Sequence, residues 1–64
     1  MKNNLRKLRE AKGLSQQKLG DILSVSRQTI NSVENGKFDP SLTLAIKLTR
    51  FLGEPIDSIL EHED

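Results

Sequence analysis

The sequence has no cysteine, tryptophan or tyrosine, and its only aromatic residues are Phe38 and Phe51. Without cysteine there is no disulfide, thiolate metal site or cysteine nucleophile, which favours a cytosolic protein. The N-terminus lacks a long apolar run, so we expect neither a signal peptide nor a membrane helix. The lone histidine, His62, lies in an acidic tail, where we expect it to be solvated. No paired-carboxylate, Ser/His or metal-ligand spacing is present, which predicts no enzymatic activity, cofactor or metal.

Charge is unevenly distributed along a chain whose net charge is only +1. Sixty-four residues predict one domain, 1–64, near the small end of chains that fold alone. Residues 1–37 carry an excess of five positive charges, and residues 38–64 carry an excess of four negative charges. A basic half suits phosphate binding, but ordinary scatter of solvated charge would look the same. Composition alone leaves both interpretations open.

The stretch 15–37 is typical of two short helices joined by a tight turn. Apolar residues recur at helical spacing on both sides of the turn. They are Leu19, Ile22 and Leu23 before it, and Ile30 and Val33 after it. Ser15 and Ser26 stand where N-caps are expected. Only Ser24 and Val25 lie between Leu23, at the end of the first stripe, and the Ser26 cap of the second helix. So short a link means that the helices must cross steeply, as in a helix-turn-helix.

Three further helices are predicted around this motif. The first runs from a cap at Asn3 or Asn4 to about Lys12, the fourth from Leu42 to Leu52, and a short last one from Ile56 to Glu61. Glycines follow the first, third and fourth helices, as at many helix C-termini. Leu14 and Phe38 are expected to pack on the core. Gly20 lies inside the second helix, where the lack of a side chain lets the next helix approach.

The outer face of the third predicted helix carries residue types that read DNA bases. Arg27 can donate two hydrogen bonds to guanine, and Gln28 can both donate to and accept from adenine. Thr29 offers a hydroxyl for phosphate and a methyl group for thymine. A merely solvated helix would more often mix Glu and Lys, whereas the one acid here is Glu34 at the end. Lys37, just beyond the helix, is placed to reach a phosphate.

Three short motifs carry a resemblance to a known family. They are Leu14-Ser15-Gln16, Val25-Ser26-Arg27-Gln28-Thr29-Ile30 and Glu34-Asn35-Gly36-Lys37. Over residues 3–60 the chain resembles the Cro/cI-type, or XRE, family of helix-turn-helix regulators. The resemblance implies an all-α, compact five-helix, lambda-repressor-like DNA-binding domain over about 5–60, with the helix-turn-helix motif at 16–35. It also implies a sequence-specific regulator that binds double-stranded DNA in a prokaryotic or phage-type cytoplasm.

By position, the resemblance implies specific roles. Base reading falls to Arg27, Gln28 and Ser32. Phosphate, sugar or flanking contacts fall to Gln16, Gln17, Ser26, Thr29, Asn31, Asn35 and Lys37. A partly buried, structural ion pair between Arg9 and Glu34 ties the first helix to the end of the third. The chain departs from the family pattern at Gly20, where Ala is usual, and at Ser24, where Gly is usual, which predicts slightly lower stability.

One reading helix covers only a few base pairs, so we expect a homodimer on palindromic half-sites about one helical turn apart. Candidate dimer contacts are Ile46, Arg50, Ile56 and Leu60. Ile46 is the best clue because it lies off the core stripe, although a single exposed apolar residue is ordinary. Small size favours repression over activation. The alternatives are an antitoxin-type autoregulator that also binds a toxin, and a protein-interaction module that does not bind DNA; the basic reading face argues against the second.

Overall fold

Five helices account for most of the residues that the structure, a computed structural model, describes, namely 2–37 and 39–61. They are α1 (Leu5–Ala11), α2 (Gln16–Leu23), α3 (Arg27–Glu34), α4 (Leu42–Leu52) and α5 (Ile56–Ile59). The predicted all-α, five-helix architecture is therefore confirmed. The predictions for Phe38 and His62 lie outside the described residues.

Serine side chains begin three of the helices, as capping chemistry predicts. The hydroxyl oxygens of Ser15, Ser26 and Ser41 each accept a hydrogen bond from the amide three residues on, at 3.0, 3.1 and 3.1 Å. Each such bond satisfies one of the amides that a first helical turn leaves unpaired, and stabilises the helix by about 1 kcal/mol. The caps at Ser15 and Ser26 define where α2 and α3 begin.

The last helix is shorter than predicted because the chain extends after Ile59. Leu60–Glu61 forms a strand, β2, that pairs antiparallel with β1 at Lys2–Asn3. The predicted cap of α1 is also corrected. Asn4 holds the N-cap position, but its side chain makes no cap bond and donates instead to the Ser58 carbonyl at 2.9 Å. Its backbone amide donates to the Ile59 carbonyl, also at 2.9 Å, so the N-terminal segment is fastened to α5.

The core is a single cluster of buried apolar side chains. Its members are Leu5, Leu19, Leu23, Ile30, Val33, Leu44, Leu48, Leu52, Ile59 and Leu60. Two predictions are corrected here. Ile22, assigned to the apolar stripe of α2, is 42% exposed, and Leu60, named as a dimer contact, is only 5% exposed. Leu60 is buried at the point where its strand, β2, pairs with β1. Leu14 packs against the cluster, as predicted.

The turn between α2 and α3 brings two backbones unusually close. A Cβ atom placed on Gly20 would lie 2.7 Å from the carbonyl oxygen of Val25, closer than two such atoms approach in practice. The packing role predicted for Gly20 is therefore confirmed. Ser24 at the end of α2 adopts the left-handed conformation, with φ +60°, which disfavours residues other than glycine. The close packing of α2 on the turn thus requires glycine at position 20, and the turn itself begins with a mildly strained serine, Ser24.

Candidate nucleic-acid interface

Helix α3 has one buried face and one outward face. Ile30 and Val33 are buried in the core, and α3 packs more extensively on α2 than any other two elements pack together. The outward face places Arg27 and Gln28 in solvent, with Thr29, Asn31 and Ser32 half-buried beside them. The five residues that were predicted to approach DNA from this helix therefore share the side that the core does not use.

Arg27 and Gln28 combine exposure with unused hydrogen-bonding capacity. They are the first two residues of α3 and follow the Ser26 cap directly. Neither side chain makes a hydrogen bond or ion pair with the part of the chain that the structure describes. A guanidinium fork and an amide are thus available to an external partner at the start of the helix. Base edges in the DNA major groove offer the matching acceptors and donors.

The flanking polar side chains are instead held by one another. The hydroxyl groups of Ser26 and Thr29 share a hydrogen bond of 2.9 Å. The Asn35 side-chain amide donates to the side-chain oxygen of Asn31, one turn earlier on α3. These bonds fix both pairs of side chains, so any DNA contact that they make uses their remaining donors and acceptors.

The segment after α3 turns back on itself and exposes a lysine. The Gly36 amide donates to the Val33 carbonyl at 3.1 Å, and the Lys37 amide donates to the Ser32 carbonyl at 2.9 Å. Gly36 has φ +70°, which suits glycine at the position after a helix. Lys37 is exposed and has no ion-pair partner in the described chain. Its ammonium group is therefore available for a phosphate.

A buried polar network joins α1, α2 and the end of α3. Arg9 donates to the Glu34 carboxylate from Nε at 2.7 Å and from Nη2 at 3.3 Å. Its Nη1 donates to the Leu14 carbonyl at 2.6 Å, and Gln16 Nε2 donates to Glu34 Oε1 at 3.1 Å. The hydrogen bond with Glu34 raises the pKa of Arg9 above its ordinary value, against the opposing effect of burial. The ion pair implied by the resemblance is thus present and structural.

Gln16 and Gln17 occupy the start of α2 in different ways. Gln16 is half-buried and donates to the Glu34 carboxylate at the end of α3. Gln17 is exposed and donates to the Asp21 carboxylate one turn on, at 2.9 Å. The first residue is built into the fold, whereas the second is a surface residue.

Comparison with known proteins assigns this arrangement to a family. The family model described as Helix-turn-helix matches residues 5–59. The chain belongs to the XRE-type helix-turn-helix family. It is 48% identical over 64 residues to an uncharacterized HTH-type transcriptional regulator of Methanocaldococcus jannaschii, an alignment that covers 100% of this chain and 97% of the relative. It is 39% identical over 66 residues to one from Bacillus subtilis, with 100% of both chains covered.

A third relative is longer than this chain. It is an SPbeta prophage-derived uncharacterized HTH-type transcriptional regulator of Bacillus subtilis, 40% identical over 57 residues. The alignment covers 89% of this chain but 53% of the relative. Members of the XRE-type family are DNA-binding transcriptional regulators and are not enzymes. The predicted function as a DNA-binding regulator is therefore confirmed at that level.

This helix-turn-helix regulator also exposes an apolar surface away from α3. Leu42, Ile46 and Ile56 are 77, 44 and 36% exposed, and together with Ala45 and Thr49 they line a groove of ≈ 190 Å³ between α4 and α5. We call this surface the α4–α5 patch. Sequence reasoning missed Leu42, although Leu42 and Ile46 are spaced i, i+4 and so lie on one face of a helix.

The remaining predicted dimer contacts divide between surface and core. Ile46, Arg50 and Ile56 are exposed, whereas Leu60 is buried, as described above. Over residues 2–37 and 39–61, no helix is long and apolar enough to cross a membrane. Within the same ranges, no group of three or more His, Asp or Glu side chains is placed to hold a metal ion.

Proposed function

We propose that this regulator is a repressor that binds a palindromic operator as a dimer, with α3 of each copy in the major groove. The proposal is carried by the exposed first turn of α3. Arg27 and Gln28 lie there without intramolecular partners, while Ile30 and Val33 bury the opposite face. Two copies related by a twofold axis would read the same bases on each half-site, which makes the operator palindromic.

The residues divide into two roles in this proposal. Arg27, Gln28 and Ser32 read base edges, with a guanine facing Arg27 and an adenine facing Gln28. Phosphate or flanking contacts fall to the second set, which is Gln16, Gln17, Ser26, Thr29, Asn31, Asn35 and Lys37. Phosphate contacts supply affinity that depends on salt but not on sequence, whereas base contacts supply discrimination.

The first test is selection of bound DNA from a random duplex pool, followed by binding assays at two salt concentrations. We expect a palindromic motif with guanine and adenine in each half. Arg27→Ala should lower affinity for the selected site by about 1–3 kcal/mol per half-site and abolish the preference at one base pair. Lys37→Ala is the matched control, because it should weaken binding to all sequences alike and reduce the salt dependence.

Two outcomes would contradict this division of roles. Equal losses for both variants across a mismatch series would mean that Arg27 contributes charge rather than base reading. No enriched sequence, from a folded protein that binds any DNA only weakly, would favour the protein-interaction alternative. A co-purifying toxin would then be the partner to seek.

The α4–α5 patch is the surface that we assign to the dimer. Its occupant is a second copy, because a twofold axis through Ile46 would bury Leu42 and Ile56 of both copies in one step. We expect Ile46→Gln to remove cooperative binding to a full operator while leaving affinity for a single half-site unchanged. Ile22→Gln is the matched control, since Ile22 is exposed to a similar degree, 42 against 44%, but lies on α2. If the wild type, Ile46→Gln and Ile22→Gln all bind the full operator with equal cooperativity, the patch is excluded as the dimer surface.

Repression itself needs a transcription assay. Transcription in vitro from a promoter that overlaps the selected operator should fall as protein is added. The Arg27→Ala variant should leave transcription unchanged at the same concentration. An increase in transcript would instead identify an activator.

A further inference from the structure

The C-terminal end of α2 is held by a lysine from another helix. Lys47 of α4 donates from Nζ to the Leu23 carbonyl oxygen at 3.0 Å. Leu23 is the last residue of α2, and Lys47 is half-buried. The bond therefore joins α4 to the end of α2 through two residues that are 24 positions apart in sequence, at the residue where the turn begins.

The Leu23 carbonyl needs such a donor because the turn does not provide one. The Ser24 amide donates to the Gly20 and Asp21 carbonyls, and the Val25 amide donates to the Gly20 carbonyl at 2.9 Å. The last carbonyls of a helix have no partner within the helix, and a cation at this end is also favoured by the helix dipole. The Lys47 ammonium group meets both requirements.

The bond is also close to the start of α3. Only Ser24, Val25 and Ser26 separate Leu23 from Arg27. These three residues have little freedom, because Ser24 is in the left-handed conformation, Val25 touches Gly20 and Ser26 caps α3. A displacement of Leu23 is therefore transmitted to Arg27 rather than absorbed by the turn.

We propose that Lys47 is a positioning residue for base reading: its bond to the Leu23 carbonyl sets the approach of α3 to DNA without itself contacting a base. The inference rests on the proposed base-reading role of Arg27 and Gln28. Lys47 follows Ile46 of the α4–α5 patch directly. Helix α4 therefore carries both the proposed dimer contact and the bond to the turn. In the proposed dimer, α4 would thus help to set the position of one α3 helix relative to the other.

The test compares discrimination, which a merely stabilising residue would not change. Lys47→Met keeps the apolar stem and removes the ammonium group. Wild-type protein and variant are measured on the selected operator and on operators with one mismatch, well below their unfolding temperatures. We expect the affinity ratio between matched and mismatched sites to fall about tenfold in the variant, by analogy with the loss of one base contact, with an unchanged salt dependence. Lys47→Gln serves the same comparison if Lys47→Met does not fold.

Lys37→Met is the charge-matched control. It should keep the affinity ratio and reduce the slope of log K against log salt by about 1 for each half-site. A Lys47 variant that keeps the wild-type ratio and only melts at lower temperature would show that Lys47 is purely structural. A variant with uniform losses and a reduced salt slope would show that it binds phosphate. Either result overturns the positioning role of Lys47 and leaves the proposed base reading intact. A wild-type protein that does not discriminate between matched and mismatched operators refutes the proposed base reading as well.

Discussion

Replacing Glu34 with alanine removes a carboxylate that accepts three hydrogen bonds. Two come from Arg9 and one from Gln16, and the side chains of Arg9 and Glu34 are both buried, at 9 and 3% exposure. In the variant the Arg9 guanidinium keeps its bond to the Leu14 carbonyl but loses its counter-ion. A buried charge then remains without compensation.

The expected loss is large relative to the stability of so small a protein. Removing one partner of a buried ion pair costs about 3–5 kcal/mol. At roughly 0.05–0.15 kcal/mol per residue, a chain of this length has a total free energy of unfolding of about 3–10 kcal/mol. Glu34→Ala should therefore leave the protein marginally folded or unfolded. The double variant Arg9→Met, Glu34→Leu should lie within about 2 kcal/mol of the wild type, because no charge remains buried.

Urea unfolding followed by far-UV circular dichroism is the appropriate assay, since the chain has no tryptophan or tyrosine for fluorescence. A pH scan is not a substitute. The hydrogen bond with Glu34 raises the pKa of Arg9 above its ordinary, strongly basic value. Its contribution to stability is therefore fully present below the pKa of the unfolded state and is lost only as the pH rises through the still higher pKa of the folded state. A loss of less than about 1 kcal/mol in Glu34→Ala would refute the reasoning, since a buried unpaired charge costs more than that. So would a double variant as unstable as the single one, which would indicate lost packing.

Two further predictions concern the turn. Gly20→Ala should destabilise the protein in the same urea titration, because the added Cβ would lie 2.7 Å from the Val25 carbonyl oxygen. This clash opposes the gain of about 1 kcal/mol in helix propensity that alanine brings. A stabilised variant would contradict the geometry. Ser24→Gly should raise the melting temperature, because Ser24 has φ +60° and glycine adopts this left-handed conformation without strain. The expected gain in the free energy of unfolding is about 1 kcal/mol. A lowered melting temperature would mean that the greater freedom of glycine in the unfolded chain outweighs that gain.

The helices and their caps were predictable because their signals are local. Apolar spacing and the serines at Ser15 and Ser26 lie within a few residues of the features that they specify. The packing role of Gly20, inside α2, was also explained correctly from the sequence. The exposure of Gln28 follows from the same spacing, since it falls opposite Ile30 and Val33 on α3. Arg27 is three residues before Ile30 and is exposed because it begins the helix.

Features that depend on distant parts of the chain were not predictable in this way. The pairing of Lys2–Asn3 with Leu60–Glu61 is too short to leave a periodic pattern, and Leu60 is buried at the point where this pairing occurs. The bond from Lys47 to Leu23 depends on how α4 is placed against α2. Ile22 shows a related limit, because the spacing i, i+3, i+4 covers an arc wider than the buried face of a short helix.

The strand pairing also determines when the α4–α5 patch exists. Helix α5 has four residues, far fewer than an isolated helix needs to be stable in water, so its order depends on its tertiary contacts. These are the burial of Ile59 in the core, the packing against α4 and the bonds from Asn4. Ile56 lies on that helix, and the patch is therefore complete only after the two ends of the described chain have met. A partly folded molecule with an undocked N-terminal segment lacks one side of the groove. The self-association that we propose through the patch would in this way be restricted to molecules that have finished folding.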